Sequence, residues 1–439
     1  MEQLFAVALG IVVGTIAGIL PGIGVLVSMV ICTPLLLDMS VIELLLFYMS
    51  VASMVQFTGT VPSVYLGVPG ETNSLPAVIE GTKHTRKGQA ALAIGVSAVG
   101  SVIGSVLAVL ITYMLLSWLT QHMTVFFSNS VKFYIYCAVI GFSLVAYNKT
   151  NILVNSLLCV AGFVLSMPGE TDIMPGFRMT FGFEDLKYGI PLMPVLIGFI
   201  VVPNIFKLYD VDVNTVYTQK IVKFSTVIVE FTSRITSSLR GSVIGYVCGL
   251  VPGVTTVLAT NTSYSVEKRL HANDSTRQLI ASETANNSGQ FSSMLPLLLL
   301  GIPITGSEVV LYSLLVDAGW SPFQFNRIPE NVNLIFQSIV PWFVLVNCVA
   351  LCIAWPFAKH TLKLFKLNKT NLTIILLAIV VGTNTYMGLN DYRLLEYTIY
   401  LTLFGIAGYA IRKYETVPLI FMYILGNNIE AVFYRHFII

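Results

Sequence analysis

Charge is what this sequence has least of. Of its 439 residues, 10% are Asp, Glu, Lys or Arg, against roughly 25% in an ordinary soluble protein. A soluble fold of this length could not wet its surface with so few charges, so that class is excluded. Apolar residues make up 55% of the chain and the mean hydropathy is +0.81, which reads as a polytopic membrane protein. The net charge of +2, without a basic run interleaved with aromatics, excludes a nucleic-acid partner. The six cysteines are scattered, mostly in apolar stretches, without a CxxC, and read as membrane-buried thiols. The five histidines are dispersed, and HExxH, GxSxG and aspartate-rich metal motifs are missing. The chain is therefore read as a non-enzyme without a cofactor. No positive region precedes the first apolar stretch, which is expected to be a retained helix and not a cleaved signal.

What is present is said twice. Gly14-x-x-x-Gly18-x-x-Pro21-Gly22 returns as Gly245-x-x-x-Gly249-x-x-Pro252-Gly253, shifted by 231 residues. Gln56-Phe57-x4-Pro62-x3-Leu66-Gly67-Val68-Pro69 returns as Gln290-Phe291-x4-Pro296-x3-Leu300-Gly301-Ile302-Pro303, shifted by 234. Duplicated halves with Gly/Pro-broken apolar segments in matching places point to the binding site of a transporter.

A bilayer span takes about 20 apolar residues. Clear spans fall at 89–118, 131–147, 151–167, 188–206, 333–357, 371–388, 394–411 and 416–434, and interrupted ones at 4–37, 41–69, 241–265 and 279–316. The expected fold is all-α and polytopic, with about 10–14 transmembrane or re-entrant segments. A first repeat half covers 1–206, a polar connector 207–240 and a second half 241–439. Basic residues are missing between the two phrases of the first half and follow the second phrase as Lys83, Arg86 and Lys87. In the second half Lys268, Arg269 and Arg277 lie between the phrases, and none follows Pro303 until Arg327. Because cytoplasmic loops collect Lys and Arg, this reversal predicts inverted-topology repeats.

A Pro-Gly pair cannot continue a helix, and the freed backbone groups must face protein or water and not lipid. Half-helix N-termini then offer amides to an anion, and half-helix C-termini offer carbonyls to a cation. Gly-x-x-x-Gly also lets helices approach closely, and for Gly14/Gly18 and Gly245/Gly249 packing is the reading taken. The polar breaks are read as binding: Pro69, Gly70, Glu71, Thr72, Asn73 and Ser74 in the first half, and Pro303, Thr305, Gly306 and Ser307 in the second. Adjacent Asn286 and Asn287 before an apolar run are costly in a membrane unless they coordinate something. They join the substrate candidates, with a solvated helix end as the plain alternative. Ion-coupling candidates are Gly22, Gly24, Gly253, Thr255 and Thr256 at the breaks, Ser288, and Glu283 as a proton site or ligand partner. Glu308 and Asp317 are isolated acids that fit a membrane boundary as well as a function.

These phrases resemble the large permease subunit of the tripartite tricarboxylate transporters, the TctA-type family. The residues carrying the likeness are Leu20-Pro21-Gly22-Ile23-Gly24, Pro69-Gly70-Glu71, Glu80-Gly81, Arg86-Lys87-Gly88 and Glu283-Thr284-Ala285-Asn286-Asn287. Arg178-Met179-Thr180-Phe181-Gly182 and a closing helix from Val417-Pro418 to Glu430 extend it over nearly the whole chain. Departures from the family pattern are Phe57-Thr58-Gly59, Pro303-Ile304-Thr305 and Glu80, where the family usually has Asp. The resemblance implies a secondary transporter in a bacterial inner membrane that imports a small carboxylate by symport with Na+ or H+. It also implies a small membrane subunit (TctB-like) and a periplasmic substrate-binding protein (TctC-like) as partners, besides membrane lipid. A stand-alone carboxylate carrier is the alternative, and a passive channel a more distant one. Neither phrase contains Lys or Arg, so a carboxylate would be met by amides, hydroxyls, helix ends and a co-bound cation.

Overall fold

The computed structural model describes residues 2–20, 22–68, 72–121, 129–145, 151–170, 176–207, 220–250, 256–320, 328–361 and 369–437. Among these, six helices are long and apolar enough to cross a membrane: Glu2–Ile19, Val41–Leu66, Ala90–Leu116, Leu334–Pro356, Thr370–Asn390 and Val417–Phe437. Shorter apolar helices accompany them, and strand is confined to a two-residue pair, Gly169–Glu170 (β1) against Phe177–Arg178 (β2). The all-α polytopic expectation agrees with this architecture.

The chain forms two compact units, and each draws on both ends of the sequence. The first comprises Met1–Met29, Leu36–Gln121 and Leu208–Asn371; the second comprises Val30–Leu35, His122–Lys207 and Leu372–Ile439.

The first unit is built around two 26-residue helices, α3 (Val41–Leu66) and α13 (Ser275–Leu300). Both begin at a capped turn. Ser40 receives the Glu43 carboxylate on its backbone N–H at 2.8 Å, and Asp274 accepts the Arg277 N–H at 3.1 Å, satisfying amides that a helix start leaves unpaired. Both end on a left-handed glycine, Gly67 at φ 68° and Gly301 at φ 67°. In each, the next amide returns six residues to an in-helix proline: Val68 N–H to the Pro62 carbonyl at 3.4 Å, and Ile302 N–H to the Pro296 carbonyl at 3.3 Å.

Each central helix is flanked by a glycine-striped helix. Helix α1 (Glu2–Ile19) presents Gly10, Gly14 and Gly18 to the backbone carbonyls of Phe47, Val51 and Val55. Helix α11 (Ile235–Leu250) presents Gly241, Gly245 and Gly249 to those of Ala281, Ala285 and Gly289. The glycines are related by 231 residues and their partners by 234, so the repeat holds in the packing as well as in the sequence. At Gly14 a Cβ would lie 2.7 Å from the Val51 carbonyl oxygen, which explains why only glycine serves.

The next helices are α2 (Gly24–Leu36) after α1, and α12 (Thr256–Leu270) after α11. Short helices α4 (Leu75–Arg86) and α14 (Gly306–Asp317) follow the central pair. The fifth helices cross over: α5 (Ala90–Gln121) sets Gly104 against the Thr284 carbonyl of α13, while α15 (Ile328–Thr361) reaches Ser53 of α3 through Asn347. Ser105 of α5 then donates to Asn347 at 2.9 Å. Helix α10 (Phe224–Thr232) lies in the expected connector.

The second unit contains α6 (Asn129–Val145), α7 (Ile152–Ser166), α8 (Leu192–Leu196) and α9 (Val202–Lys207) around a π-turn at Ile197–Val201. Most of α16 (Lys369–Asn390), then α17 (Leu394–Ala410) and α18 (Val417–Phe437) complete it. Close packing crosses over here too: Gly162 of α7 faces the Leu419 carbonyl of α18, and Gly408 of α17 faces the Gly198 carbonyl in the π-turn.

Candidate functional site between the central helices

Helix α13 carries a run of polar side chains through an interior position, and each has to find a partner there. The partners come from the other repeat. Gln56 of α3 donates from Nε2 to Oε1 of Gln290 at 3.4 Å, and these two glutamines are the same position of the repeated phrase. Equivalent positions of the two phrases thus meet directly between α3 and α13.

On one side of the glutamine pair Gln290 Nε2 donates to the Tyr48 hydroxyl at 3.0 Å, Tyr48 lies 3.3 Å from the Ser307 hydroxyl, and Ser307 lies 3.1 Å from that of Thr305. On the other, Asn73 Nδ2 donates to Asn286 Oδ1 at 2.9 Å and to Thr256 Oγ1 at 3.4 Å, and the Thr60 hydroxyl donates to Glu283 at 3.3 Å. Glu283 is 4% exposed, and no basic side chain is bonded to it among the described residues. A cavity of about 10 Å³ between Tyr48, Ser53, Gln56, Asn287 and Gln290 has room for about one water.

The loops that end the central helices dock reciprocally. The 3-10 turn Thr72–Ser74 lies against the start of α12 through Asn73 and Thr256. In the other repeat a Cβ at Gly306 would lie 3.0 Å from Leu26, at the start of α2. Their chemistry differs. In the second repeat Glu308 is fully buried and accepts the Ile304 N–H at 2.7 Å, the Thr305 N–H at 3.0 Å and the Ser293 hydroxyl, while Thr305 accepts the Glu308 N–H at 3.2 Å. This is a capping box. Glu308 is thus committed to capping the start of α14.

The sequence-derived candidates separate accordingly. Asn73, Asn286, Thr256 and Glu283 gather on one side of the glutamine pair; Thr305 and Ser307 lie on the other, next to buried Pro303 and to Gly306. Asn287 donates to the carbonyl of Glu283 at 3.1 Å and lines the small cavity. Ser288 points elsewhere, donating at 2.8 Å to the Ser242 carbonyl of α11. Ser74 is buried at the start of α4. Gly22 and Gly24 take positive φ, 80° and 52°, where α1 gives way to α2. Pro69, Gly70, Glu71, Gly253 and Thr255 lie outside the described residues, as does the side chain of Thr72. Sequence reasoning missed Tyr48 and Thr60 and gave Gln56 and Gln290 no role. The available signal was that glutamine is the polar residue kept in both copies of the second phrase.

Two motif residues hold the frame. Glu80 of α4 is 0% exposed and accepts Lys83 Nζ at 2.7 Å, the Tyr264 hydroxyl of α12 at 2.9 Å and the Ser275 hydroxyl of α13 at 2.7 Å. Gly81 beside it lets α4 approach Val64 of α3. Burial alone would raise the Glu80 pKa, but the bonds from Lys83, Ser275 and Tyr264 outweigh it and hold the carboxyl below its ordinary value. We expect Glu80→Ala to cost about 2 kcal/mol, the scale of hydrogen bonds to a charged group. Since the folded pKa is the lower one, that contribution is complete above the unfolded carboxyl's pKa of ~4.3 and is lost as pH falls through the folded value. Thermal unfolding in detergent should therefore separate wild type and variant at pH 7 and bring them together in acid; an equal gap at both would refute the role. In the second unit, Arg178 pairs with Glu430 and donates to Asn427 at 3.1 Å and to the Met167 carbonyl at 2.8 Å.

The family model "Tripartite tricarboxylate transporter TctA family" matches residues 4–423. An uncharacterized 52.8 kDa protein in the TAR-I ttuC' 3' region of Agrobacterium vitis is 25% identical over 449 residues, covering 98% of this chain and 86% of the relative. An uncharacterized protein of Methanocaldococcus jannaschii is 24% identical over 426 residues, covering 94% of each. No solved structure matches. With a family match along nearly its whole length and apolar helices to cross a bilayer, the chain is a multi-pass membrane protein belonging to the tripartite tricarboxylate transporter TctA family.

Proposed function

We propose that this subunit carries out gradient-driven uptake of a small carboxylate together with a cation, Na+ or H+, across a bacterial inner membrane. The two repeats are inverted, as the reversed Lys/Arg bias of their loops suggests, over sequence halves 1–206 and 241–439. Substrate arrives from a periplasmic binding protein, and a small membrane subunit completes the assembly. The observation that carries the reading is the buried polar cluster around Gln56 and Gln290, where amides, hydroxyls and Glu283 converge without a basic side chain among the described residues. An anion entering such a site needs a co-bound cation, because each ion offsets part of the other's desolvation.

The asymmetry of the cluster supports a division of labour. Glu308 occupies the amides of Ile304 and Thr305, so the second-half loop contributes the Thr305 and Ser307 hydroxyls and not a free helix start. The substrate carboxylate belongs with Asn73, Asn286 and the 69–74 break, and Glu283 belongs to the cation. The test is uptake of a labelled carboxylate panel into proteoliposomes, with and without Na+ and pH gradients, and with and without the two partners. We expect saturable uptake that requires one gradient and both partners. Saturable uptake without partners would make the protein a stand-alone carrier, and flux indifferent to either gradient would overturn the transporter reading in favour of a channel.

A further inference from the structure

One end of the first unit gathers its basic residues. Glu80 of α4 accepts Lys83, Tyr264 of α12 and Ser275 of α13; Arg234, after α10, pairs with Asp274, before α13; and Arg240 of α11 pairs with Glu267 of α12. The α4–α5 loop, the end of α12 and the starts of α11 and α13 therefore share that end. The connector joins them, because the Lys220 N–H donates to the Gly88 carbonyl at 2.9 Å. The described acids there are all committed: Glu80 to Lys83, Glu230 and Asp274 to Arg234, and Glu267 to Arg240. Arg86, Lys87, Lys220, Lys223, Lys268 and Arg269 are exposed and have no acidic partner among the described residues. Asp210 and Asp212 of the connector lie outside the described residues, and two acids would not balance these six cations. Cytoplasmic ends collect Lys and Arg, so this end is the cytoplasmic one.

Helix α10 lies along that end and does not cross the membrane. It is 9 residues long, about 14 Å, which is under half of a bilayer core. Both flanks are tied to the basic end, Lys220 to Gly88 before it and Arg234 to Asp274 after it. One side is seated on the unit. Val227 and Phe231 are buried, a Cβ at Gly95 of α5 would lie 2.7 Å from Val227, and the Phe224 ring packs on Trp355 at 5.1 Å. Trp355 is itself fixed, its indole N–H donating to the Ala91 carbonyl at 3.1 Å. The open side is apolar: Ile221 is exposed by 88% and Val229 by 65%, with Phe224 and Ile228 exposed beside them. Apolar side chains flanked by lysines are the composition of a segment lying in the headgroup layer. An apolar protein surface would leave the neighbouring cations unanswered, and water would leave the isoleucines and phenylalanine so. An anionic headgroup above acyl chains satisfies both.

We propose that Arg86, Lys87, Lys220 and Lys223 bind the headgroup of an anionic phospholipid of the cytoplasmic leaflet, with Ile221, Phe224 and Ile228 seated among acyl chains. The inference rests on the membrane assignment and not on the transport reading. The test reconstitutes the full chain in phosphatidylcholine vesicles containing brominated phosphatidylglycerol or brominated phosphatidylcholine. Quenching of an Ile221→Trp variant is read as the difference from the wild-type chain. Phosphatidylglycerol is expected to quench at a mole fraction at least ~10-fold lower than phosphatidylcholine. A basic residue near an anionic surface contributes about 5-fold in affinity. Lys220→Gln/Lys223→Gln in the Ile221→Trp background should therefore reduce that preference at least ~10-fold, with elution unchanged. Arg86→Gln/Lys87→Gln should act alike from a separate segment, and about 0.5 M salt should weaken the preference by screening. Equal quenching by the two lipids, or a preference untouched in both variants, overturns the headgroup site. Absence of quenching by either lipid overturns the seating of α10 in the bilayer and the proposal with it. Loss of the preference on adding inorganic phosphate at constant ionic strength would give the site to a free anion, and quenching lost on adding the small membrane subunit would give the surface to a protein; either result overturns the proposal.

Discussion

Glu283→Gln abolishes concentrative uptake, by about 100-fold or more, while leaving a folded protein; this is the largest functional effect we expect. The carboxyl is buried in the central helix of the first unit, and its one described side-chain bond is the 3.3 Å contact from Thr60. An ionisable group costs several kcal/mol at membrane depth, and one without a basic partner is retained for what it binds. Glutamine preserves volume and hydrogen bonding, so melting temperature and elution should match wild type. Exchange of internal for external substrate then distinguishes the coupling ions. If Glu283 carries a proton, glutamine mimics the protonated form and exchange survives; if it ligates Na+, exchange is lost with net uptake. Wild-type concentrative uptake in the variant would remove Glu283 from the site.

The largest structural effect is expected at Gly245. A Cβ there would lie 2.7 Å from the Cα of Ala285 and closer still to its carbonyl, so Gly245→Leu must push α11 away from α13 along the glycine stripe. Overpacking against yielding side chains costs about 1–3 kcal/mol; here the obstacle is backbone, and we expect more than about 3 kcal/mol, seen as loss of the monodisperse peak in detergent. Gly14→Leu should behave alike, because the Val51 backbone opposes it in the same way. Gly382→Leu, where nothing lies within 4 Å, is the control. If Gly245→Leu and Gly382→Leu were equally well folded, the stripe would not be what seats α11 on α13.

The periodic features were legible early. The low charge fixed the membrane setting, the two phrases announced the repeat, and Gly-x-x-x-Gly pointed to close packing that the structure realises as paired stripes at the same offsets. The Leu-Gly-Val-Pro and Leu-Gly-Ile-Pro phrases became matching left-handed helix ends, because a Gly after an in-helix Pro constrains backbone within a few residues. Asn73, Asn286 and Glu283 were also recognisable, since polar groups in apolar segments need partners.

Which partner each one has was not legible. Glu308 read as an isolated acid and Glu283 as a proton site or ligand partner; the structure has Glu308 close a capping box on its own helix start, while among the described residues the hydrogen bond to the Glu283 carboxyl comes from Thr60, 223 residues away. Ser288 is two residues from Asn286 but turns to α11, because successive residues of a helix point about 100° apart and the neighbour on each face is set by packing. The glutamine pair needed the two repeats to be brought together before its contact could be seen. The sequence by itself therefore determined that this protein is a duplicated membrane protein with Gly/Pro breaks in its apolar segments, since composition and repetition are properties of the chain. Only the tertiary structure decided which polar groups meet at the centre and which are spent on capping and packing, since the central contacts join residues more than two hundred positions apart and compete with nearer partners for the same side chains.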